Sequence, residues 1–542
     1  MPTSLDMLFR MTPEILLIVG AVWIIVGNAF APQRAGWWVM ALATVAMAGW
    51  ALAQQGMPVV PAPSTGGESV HVGSADADSV VVAGLAIHDE LAQAIRWFAI
   101  VLAFLLVVMA SHAGAEGLFG EQLGSILLIL AGIMIAASAT NLVLLFLGLE
   151  LVSIPTYILL FLGRANRQSL EATAKYFLLS ILASAVMLYG FSFLYGSTGS
   201  MDLSRISANV REPASPLGAG GIWTMGMVLV LLGLSFKLGS FPAHFYAPDV
   251  YEGTTSVNAA LLAVAPKVAG IVALVRLFLM NSMEVHPFLW HMFLLLALAT
   301  MTIGNVCALW QNNIRRLLAY SSIAHAGYML IGLAVALAMW KTSTGLQGAS
   351  ATLFYLVVYA IAVLGTFAGL AYLASARDEI QDVEQLAGMG RSYPVVAGAL
   401  GLLMFSLSGI PPLAGFWGKL GLFASAVEAA GVSAAGVRSP WFLVLVVCGA
   451  LNAAIAAAYY LRIVRTLFFR SGTQQLAPEG GSGARNVAVF AALLTLAVGI
   501  LPGPLLVATR NATCGLNRDR APLMVTAAPV SSGYQDSIVT RP

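Results

Sequence analysis

Long apolar runs alternate with short polar breaks from one end of the chain to the other. The runs fall at about 13–30, 36–53, 92–110, 123–138, 141–163, 174–196, 222–240, 256–280, 288–310, 317–339, 350–375, 394–430, 439–468 and 486–509. At ~1.5 Å per helical residue, most can cross a hydrocarbon layer ~30 Å thick. The pattern predicts an all-α polytopic membrane protein with about 14 transmembrane helices. The first run ends in Ala29-Phe30-Ala31, which looks like a signal cleavage site. Pro32 and the immediate second run make it a true first span instead. One polar insertion, 54–90, holds Pro, Gly, Ser and acidic residues but no Lys or Arg. The polar tail beyond Arg510 is expected to be poorly ordered.

Composition agrees with this reading. Of 542 residues, 59% are hydrophobic and 9% charged, against about 25% charged in ordinary soluble proteins. Mean hydropathy is +0.87. Such a chain can neither clothe a water-soluble globule nor remain disordered. A net charge of +2 with no basic stripe excludes nucleic acid as a partner. Cys307, Cys448 and Cys514 show neither metal-type spacing nor a disulfide framework. There is no CxxC, and no GxGxxG between a strand and a helix, so neither an iron–sulfur cluster nor a dinucleotide is expected here.

Loop arginines suggest an orientation. With the N-terminus outside, the inner loops collect Arg34, Arg164, Arg167, Arg315, Arg316, Arg377, Arg391, Arg462, Arg465, Arg470 and Arg485. The outer loops and helix ends then hold Arg10, Arg96, Arg205, Arg211, Arg276, Lys341 and Arg438. Both termini are expected outside.

The lysines break the expected pattern. Lys175, Lys237, Lys267 and Lys419 lie within apolar runs, and only Lys341 sits in an evident loop. A charged group at a helix centre costs about 2.5–3.5 kcal/mol, so Glu150, Lys237, Lys267 and Lys419 together cost roughly 10–14 kcal/mol. Groups that expensive persist when they pair, are hydrated or do work. An amine held away from water also gives up its proton more readily, which arginine cannot do. A Glu–Lys pair in the membrane is therefore a switchable proton site. A static ion pair is the competing reading for any one of these residues, but it serves poorly for four together. Lys175 lies near a helix start, where it can snorkel, and it pairs with Glu171 at i,i+4 spacing.

Two runs are interrupted. Gly239 and Pro242 follow Lys237, while Gly409, Pro411 and Pro412 precede Lys419. Proline ends or kinks a helix, and unwound backbone at membrane depth must be buried in protein or line a cavity. Interrupted helices at matching places point to an inverted-repeat transporter. His244, His325 and a tyrosine set including Tyr246, Tyr320 and Tyr328 complete the polar membrane residues, and a histidine can relay protons between lysines.

The segments GLELVSIPTYIL, EATAKYFLLS, GLSFKLGSFPAHFYAPDVYEG, RRLLAYSSIAHAGYML and SGIPPLAGFWGK, spread over about 140–420, resemble the antiporter-like proton-pumping membrane subunits of respiratory complex I, in their N-type branch. The resemblance implies inverted five-helix repeats made of helices 4–8 and 9–13, with helices 7 and 12 broken. It divides the chain into 1–122, with the insertion; 123–280, the first repeat; 281–470, the second; and 471–542, the last span and tail. It implies that Glu150 and Lys237 form the coupled pair of the first half-channel. Lys267 and His325 would carry the central axis, Lys419 the outward half-channel, and Lys175 and His244 secondary positions. Lys419 itself argues against the M-type subunit, which has glutamate there. The short tail argues against the L-type.

The implied function is proton translocation coupled to electron transfer from NADH to quinone in other subunits. FMN, iron–sulfur clusters and the quinone site would lie in those partners, with no cofactor or metal in this chain. Its neighbours would be an M-type antiporter-like subunit, a small K-type subunit and the lipid bilayer of a bacterial inner membrane, with both termini periplasmic. A subunit of a multi-subunit cation/proton antiporter and an inert assembly subunit are the alternatives.

Overall fold

Thirteen helices among the described residues are long and apolar enough to cross a membrane. A fourteenth crossing is interrupted, and it completes the expected number. The structure, a computed structural model, describes residues 8–56, 81–82, 86–112, 118–163, 166–209, 219–279, 287–339, 342–374, 380–431, 440–471 and 480–518. Lys341, most of the 54–90 insertion and the tail beyond Arg518 lie outside these residues. The first six spans are α1 (Thr12–Phe30), α2 (Arg34–Gln54), α3 (Glu90–Met109), α4 (Phe119–Ser138), α5 (Leu142–Phe161) and α6 (Arg167–Thr198). The broken seventh is α7 (Ala219–Leu238) with α8 (Ala247–Gly253). Then come α9 (Ser256–Leu274), α10 (Pro287–Leu309), α11 (Ile314–Ala338) and α12 (Ser343–Leu373). The broken twelfth is α13 (Pro394–Ser408) with α14 (Ala414–Gly431), followed by α15 (Trp441–Phe469), α16 (Gly481–Ile500) and α17 (Gly503–Arg518). A two-residue antiparallel hairpin, Val81–Val82 with Ala86–Ile87, precedes α3.

The end of the chain differs from expectation. The last apolar run splits, because Leu501 and Pro502 leave the helix. The polar segment beyond Arg510 does not fray at once. It continues as helix to Arg518, and Thr509, Ala512 and Thr513 are buried where α17 packs on α3 and α12.

Packing places α9 and α11 at the centre, where nearly every side chain is buried. Outer faces such as Val19, Val22, Trp23 and Val26 of α1, or Leu178, Ile181 and Leu182 of α6, stay exposed and apolar. A membrane or a neighbouring subunit is the only environment that suits such faces.

The repeat is visible in detail. Asn141 caps α5 by accepting from Leu144 N at 2.8 Å, and Asn313 caps α11 from Arg315 N at 3.0 Å. Each asparagine also forms an isolated antiparallel bridge, Asn141 with Asp202 and Asn313 with Asp382. The same backbone bonds recur in both bridges: Leu142 N to Met201 O at 3.0 Å and Leu203 N to Thr140 O at 2.9 Å, then Ile314 N to Gln381 O at 2.6 Å and Val383 N to Asn312 O at 3.0 Å. Gly132 and Gly304 stand equally far before the two caps, and each lies where a Cβ would strike the facing helix, at Gly148 O (2.8 Å) and Tyr320 O (2.9 Å). Corresponding helices are five spans apart. An odd offset reverses the direction of crossing, so the repeats are inverted.

Buried ion pairs join the first three spans to this core. Arg96 of α3 grips Glu14 of α1 through Nε and Nη2, both at 2.6 Å. Arg276, in the π-helical turn after α9, holds both oxygens of Asp89 at 2.6 Å and donates to Ala137 O at 2.7 Å. Both arginines are fully buried. The sequence pattern had left them among outer loops and helix ends. His88 Nδ1 lies 2.9 Å from Arg96 Nη1. Burial, and next the Arg96 guanidinium, push the His88 imidazole down to about 3. It therefore stays neutral and accepts that hydrogen bond.

Two outcomes follow. Asp89→Ala, which strands a buried guanidinium, is expected to destabilise the fold by about 3–5 kcal/mol, with partial recovery in the Asp89→Ala, Arg276→Met double variant. Thermal melting of the detergent-solubilised protein checks this; an unchanged midpoint refutes it. For His88 the unfolded state binds a proton near its ordinary 6.5 while the folded state resists to about 3. Stability is complete above pH 6.5 and declines as pH falls through that window. His88→Asn is expected to flatten the acid limb of a melting-temperature series between pH 7 and about 5.

Candidate functional site

The first cluster forms where α7 stops. Gly239 takes φ +65°, in the left-handed region that ends helices, and the Phe241–Pro242 peptide is cis. Lys237, in the last turn, is buried. Its ammonium donates to Glu150 Oε1 of α5 at 3.2 Å, to Leu149 O at 3.3 Å and to Ser153 Oγ. An ammonium has three donors, and all three are used. Ser184 of α6 donates to the same Glu150 oxygen at 2.6 Å. One residue further along α7, Leu238 O receives the amine of Lys267 from α9 at 2.7 Å.

The second break repeats the design. Gly409 takes φ +91°, and the Pro411–Pro412 peptide is cis. Lys419 of α14 reaches back to Leu407 O at 3.0 Å and Ser408 O at 2.8 Å, the final carbonyls of α13. Its amine also lies 5.2 Å above the Tyr328 ring. The last carbonyls of a helix lack intrahelical partners and carry the negative end of its dipole. Each interrupted span thus ends on a buried amine.

His325 of α11 lies between tyrosines. Its Nδ1 is 2.6 Å from Tyr355 OH and its Nε2 3.0 Å from Tyr460 OH, which also meets Ser321 Oγ. Nearby, Tyr359 OH lies 2.7 Å from Ser322 Oγ and 3.4 Å from Ala263 O of α9, and Tyr251 of α8 joins the same serine at 3.2 Å. With both nitrogens engaged, a neutral imidazole donates through one and accepts through the other. It can therefore pass a proton between its two phenols by changing tautomer. No direct hydrogen bond joins Lys237, Lys267, His325 and Lys419 to one another among the described residues.

Lys175 is not in this interior set. It is part-exposed and bound to Asp249 of α8 at 2.6 Å and Glu171 at 2.8 Å. Arg316 of α11 takes the other oxygen of Asp249 at 2.7 Å and Glu252 at 2.8 Å. This network ties α6, α8 and α11 at one rim. His244 is half-buried in the first break, its ring 6.1 Å from Phe241, and among the described residues it makes no hydrogen bond to a lysine. Tyr246 stays by the break, donating to Phe236 O at 2.8 Å, while Tyr320 is only part-buried.

The sequence reading missed Ser153, Ser184, Asp249, Arg316, Tyr355, Tyr359 and Tyr460. Some carried a signal. Ser153 stands one turn beyond Glu150, and Tyr355 and Tyr359 share a face of α12.

Residues 139–450 match the family described as NADH:quinone oxidoreductase/Mrp antiporter, TM. A curated relative from Coxiella burnetii, NADH-quinone oxidoreductase subunit N, is 37% identical over 70% of this chain and 74% of its own length. A chain of respiratory complex I from Thermus thermophilus with bound aureothin superposes with TM-score 0.71 at 31% identity, covering 92% of this chain and 99% of that one. A chain of the Mrp complex from Dietzia sp. DQ12-45-1b superposes with TM-score 0.75 at 20% identity, covering 96% and 98%, and shows the shared fold alone.

If Asp249 pins Lys175, Asp249→Asn is expected to speed labelling of Lys175 by a water-soluble amine reagent, roughly fivefold for the loss of one charge-assisted bond. Peptide mass spectrometry reads the rate. An unchanged rate means that Glu171 alone holds the amine.

Proposed function

The chain belongs to the NADH:quinone oxidoreductase/Mrp antiporter membrane family, among its NADH-quinone oxidoreductase N subunits, and from that footing we propose that its buried lysines carry protons across the membrane. It is a multi-pass, proton-translocating membrane subunit of complex I. The observation that carries the proposal is the buried amine held on the open carbonyl end of each broken span.

In this reading Glu150 and Lys237 are the loading pair. While the carboxylate is close, the ammonium keeps its proton. When Glu150 swings away, Lys237 loses its strongest acceptor and releases the proton towards Lys267, whose amine sits one residue along the same helix end. Tyr359 and Ser322 bridge α9, α11 and α12 near His325. The His325 tautomer change then moves a proton between Tyr460 and Tyr355, and Tyr355 packs on Gly418 beside Lys419. Water or side-chain motion closes the intervals between these clusters. Lys419 delivers to the far side, while Lys175 and His244 act at the margins.

The driving signal comes from redox chemistry in other subunits, which would hold FMN, iron–sulfur clusters and quinone. An M-type and a K-type subunit are its proposed neighbours. The arginine bias supports both termini lying on the outer side, which in a bacterial inner membrane is the periplasm. The Mrp likeness is one of fold at 20% identity, so cation exchange is not favoured.

Lys237→Ala in the assembled complex is expected to slow proton transfer through this subunit by about a hundredfold. The number of protons moved per electron in sealed vesicles would fall, while NADH oxidation by uncoupled complex changes less. A normal ratio refutes the role. Glu150→Gln, which keeps the shape and loses the charge, is expected to lower the ratio in the same way.

A further inference from the structure

The second break rests against the last span, as the first rests against α10, where Thr300 Oγ1 accepts from Phe241 N at 3.1 Å. α16 reaches its C-terminal end beside the α13–α14 break. Gly499, in the final turn of α16, touches that break backbone to backbone. A Cβ there would lie 2.2 Å from Pro412 O, 2.7 Å from Leu413 Cα and 2.8 Å from Ala414 N. Any side chain would push the two spans apart. The Gly499 carbonyl is one of those left without an intrahelical partner at a helix end. Trp417 Nε1–H donates to it at 2.8 Å. Two residues later the chain leaves the helix at Leu501 and Pro502. The turn into α17 packs Leu505 and Leu506, with Val498, against Phe354, Val358 and Ala414. The kinked last span thus holds the start of α14 by a backbone contact, a hydrogen bond and an apolar contact.

Trp417 stands two residues before Lys419. At ~100° per residue the two side chains leave nearly opposite sides of α14. Whatever fixes the indole therefore fixes the rotation at which the amine meets Leu407 O and Ser408 O. The halves differ in this need. In the first break the capping amine, Lys267, comes from α9, a separate and fully buried helix. In the second, the amine rides on the segment just past the break itself, so its place depends on what stops that segment from turning.

We propose that Trp417 and Gly499 are positioning residues: the last span acts as a stop that holds α14 in the rotation placing Lys419 on the carbonyl end of α13. The proposal rests on the reading of Lys419 as a proton carrier. Opening the break for proton delivery then requires the Trp417–Gly499 bond to slip.

The test uses the assembled complex in sealed vesicles with Trp417→Phe, which keeps an aromatic ring and loses the donor, and Gly499→Ala. Lys419→Ala runs alongside. Trp417→Phe is expected to lower the protons moved per electron while complex content and NADH oxidation stay near wild type. Amide hydrogen exchange over residues 409–416 should run roughly five- to tenfold faster, as expected for one lost hydrogen bond. Gly499→Ala should do the same. If it lowers the amount of complex, Trp417→Phe decides alone. A purely structural role would change the amount of complex but not the ratio. A normal ratio in Trp417→Phe beside a lowered ratio in Lys419→Ala overturns the stop and spares the proposed function. A lowered ratio with unchanged exchange at 409–416 also overturns it, because the loss then lies elsewhere. A normal ratio in Lys419→Ala removes the reading on which the stop depends, and the stop falls with it.

Discussion

A buried ammonium has to be surrounded by acceptors, and this protein takes half of them from interrupted backbone. Lys267 and Lys419 end on carbonyls that a continuous helix would have used internally, and Lys237 sits at the same kind of terminus with Glu150, Leu149 and Ser153 around it. Breaking a helix in a membrane is costly because its polar groups lose their partners. Burying an amine is costly for the converse reason. Each defect satisfies the other. That mutual satisfaction explains why the glycine–proline signals and the lysines occur together, and why the surrounding spans must be packed closely enough to keep the arrangement dry elsewhere.

The two halves share a scaffold but not their chemistry. Counted from the capping asparagines, Glu150 and Ser322 occupy equivalent places, and so do Ser153 and His325. The first half therefore has a carboxylate and a hydroxyl where the second has a hydroxyl and an imidazole. A charged pair binds its proton firmly. A histidine between two tyrosines passes one along with little rearrangement. The difference suits a path that loads at one end and conducts at the other, and the network of Asp249, Glu252, Arg316 and Asn313 ties the halves together at their shared rim.

Much of this was legible in the chain. Fourteen apolar runs and two Gly–Pro interruptions are coarse signals that the membrane enforces strictly, since a backbone exposed to lipid must satisfy its own hydrogen bonds. Lysines surrounded by Leu, Val and Ala stood out for the same reason. The break in the last span carried the same kind of signal, Pro502-Gly503-Pro504, but it was counted within one apolar run. The helix beyond Arg510 was not legible: its burial comes from small residues, Ala512 and Thr513, whose fit depends on α3 and α12. Tyr355, Tyr359 and Tyr460 were hidden because a tyrosine in an apolar run looks like any aromatic core residue until its hydroxyl finds a partner. Arg96 and Arg276 looked like solvated helix ends, and only tertiary packing showed their bidentate carboxylates.

Because the repeats cross the membrane in opposite senses, α7 and α13 run antiparallel, and both arrive at their breaks carboxyl end first. Two partial negative poles, facing inward from opposite directions, make the interior electrostatically hospitable to positive charge and hostile to negative charge. Those poles belong to the main chain, so replacing a capping lysine would remove the cation and leave standing the pole that held it.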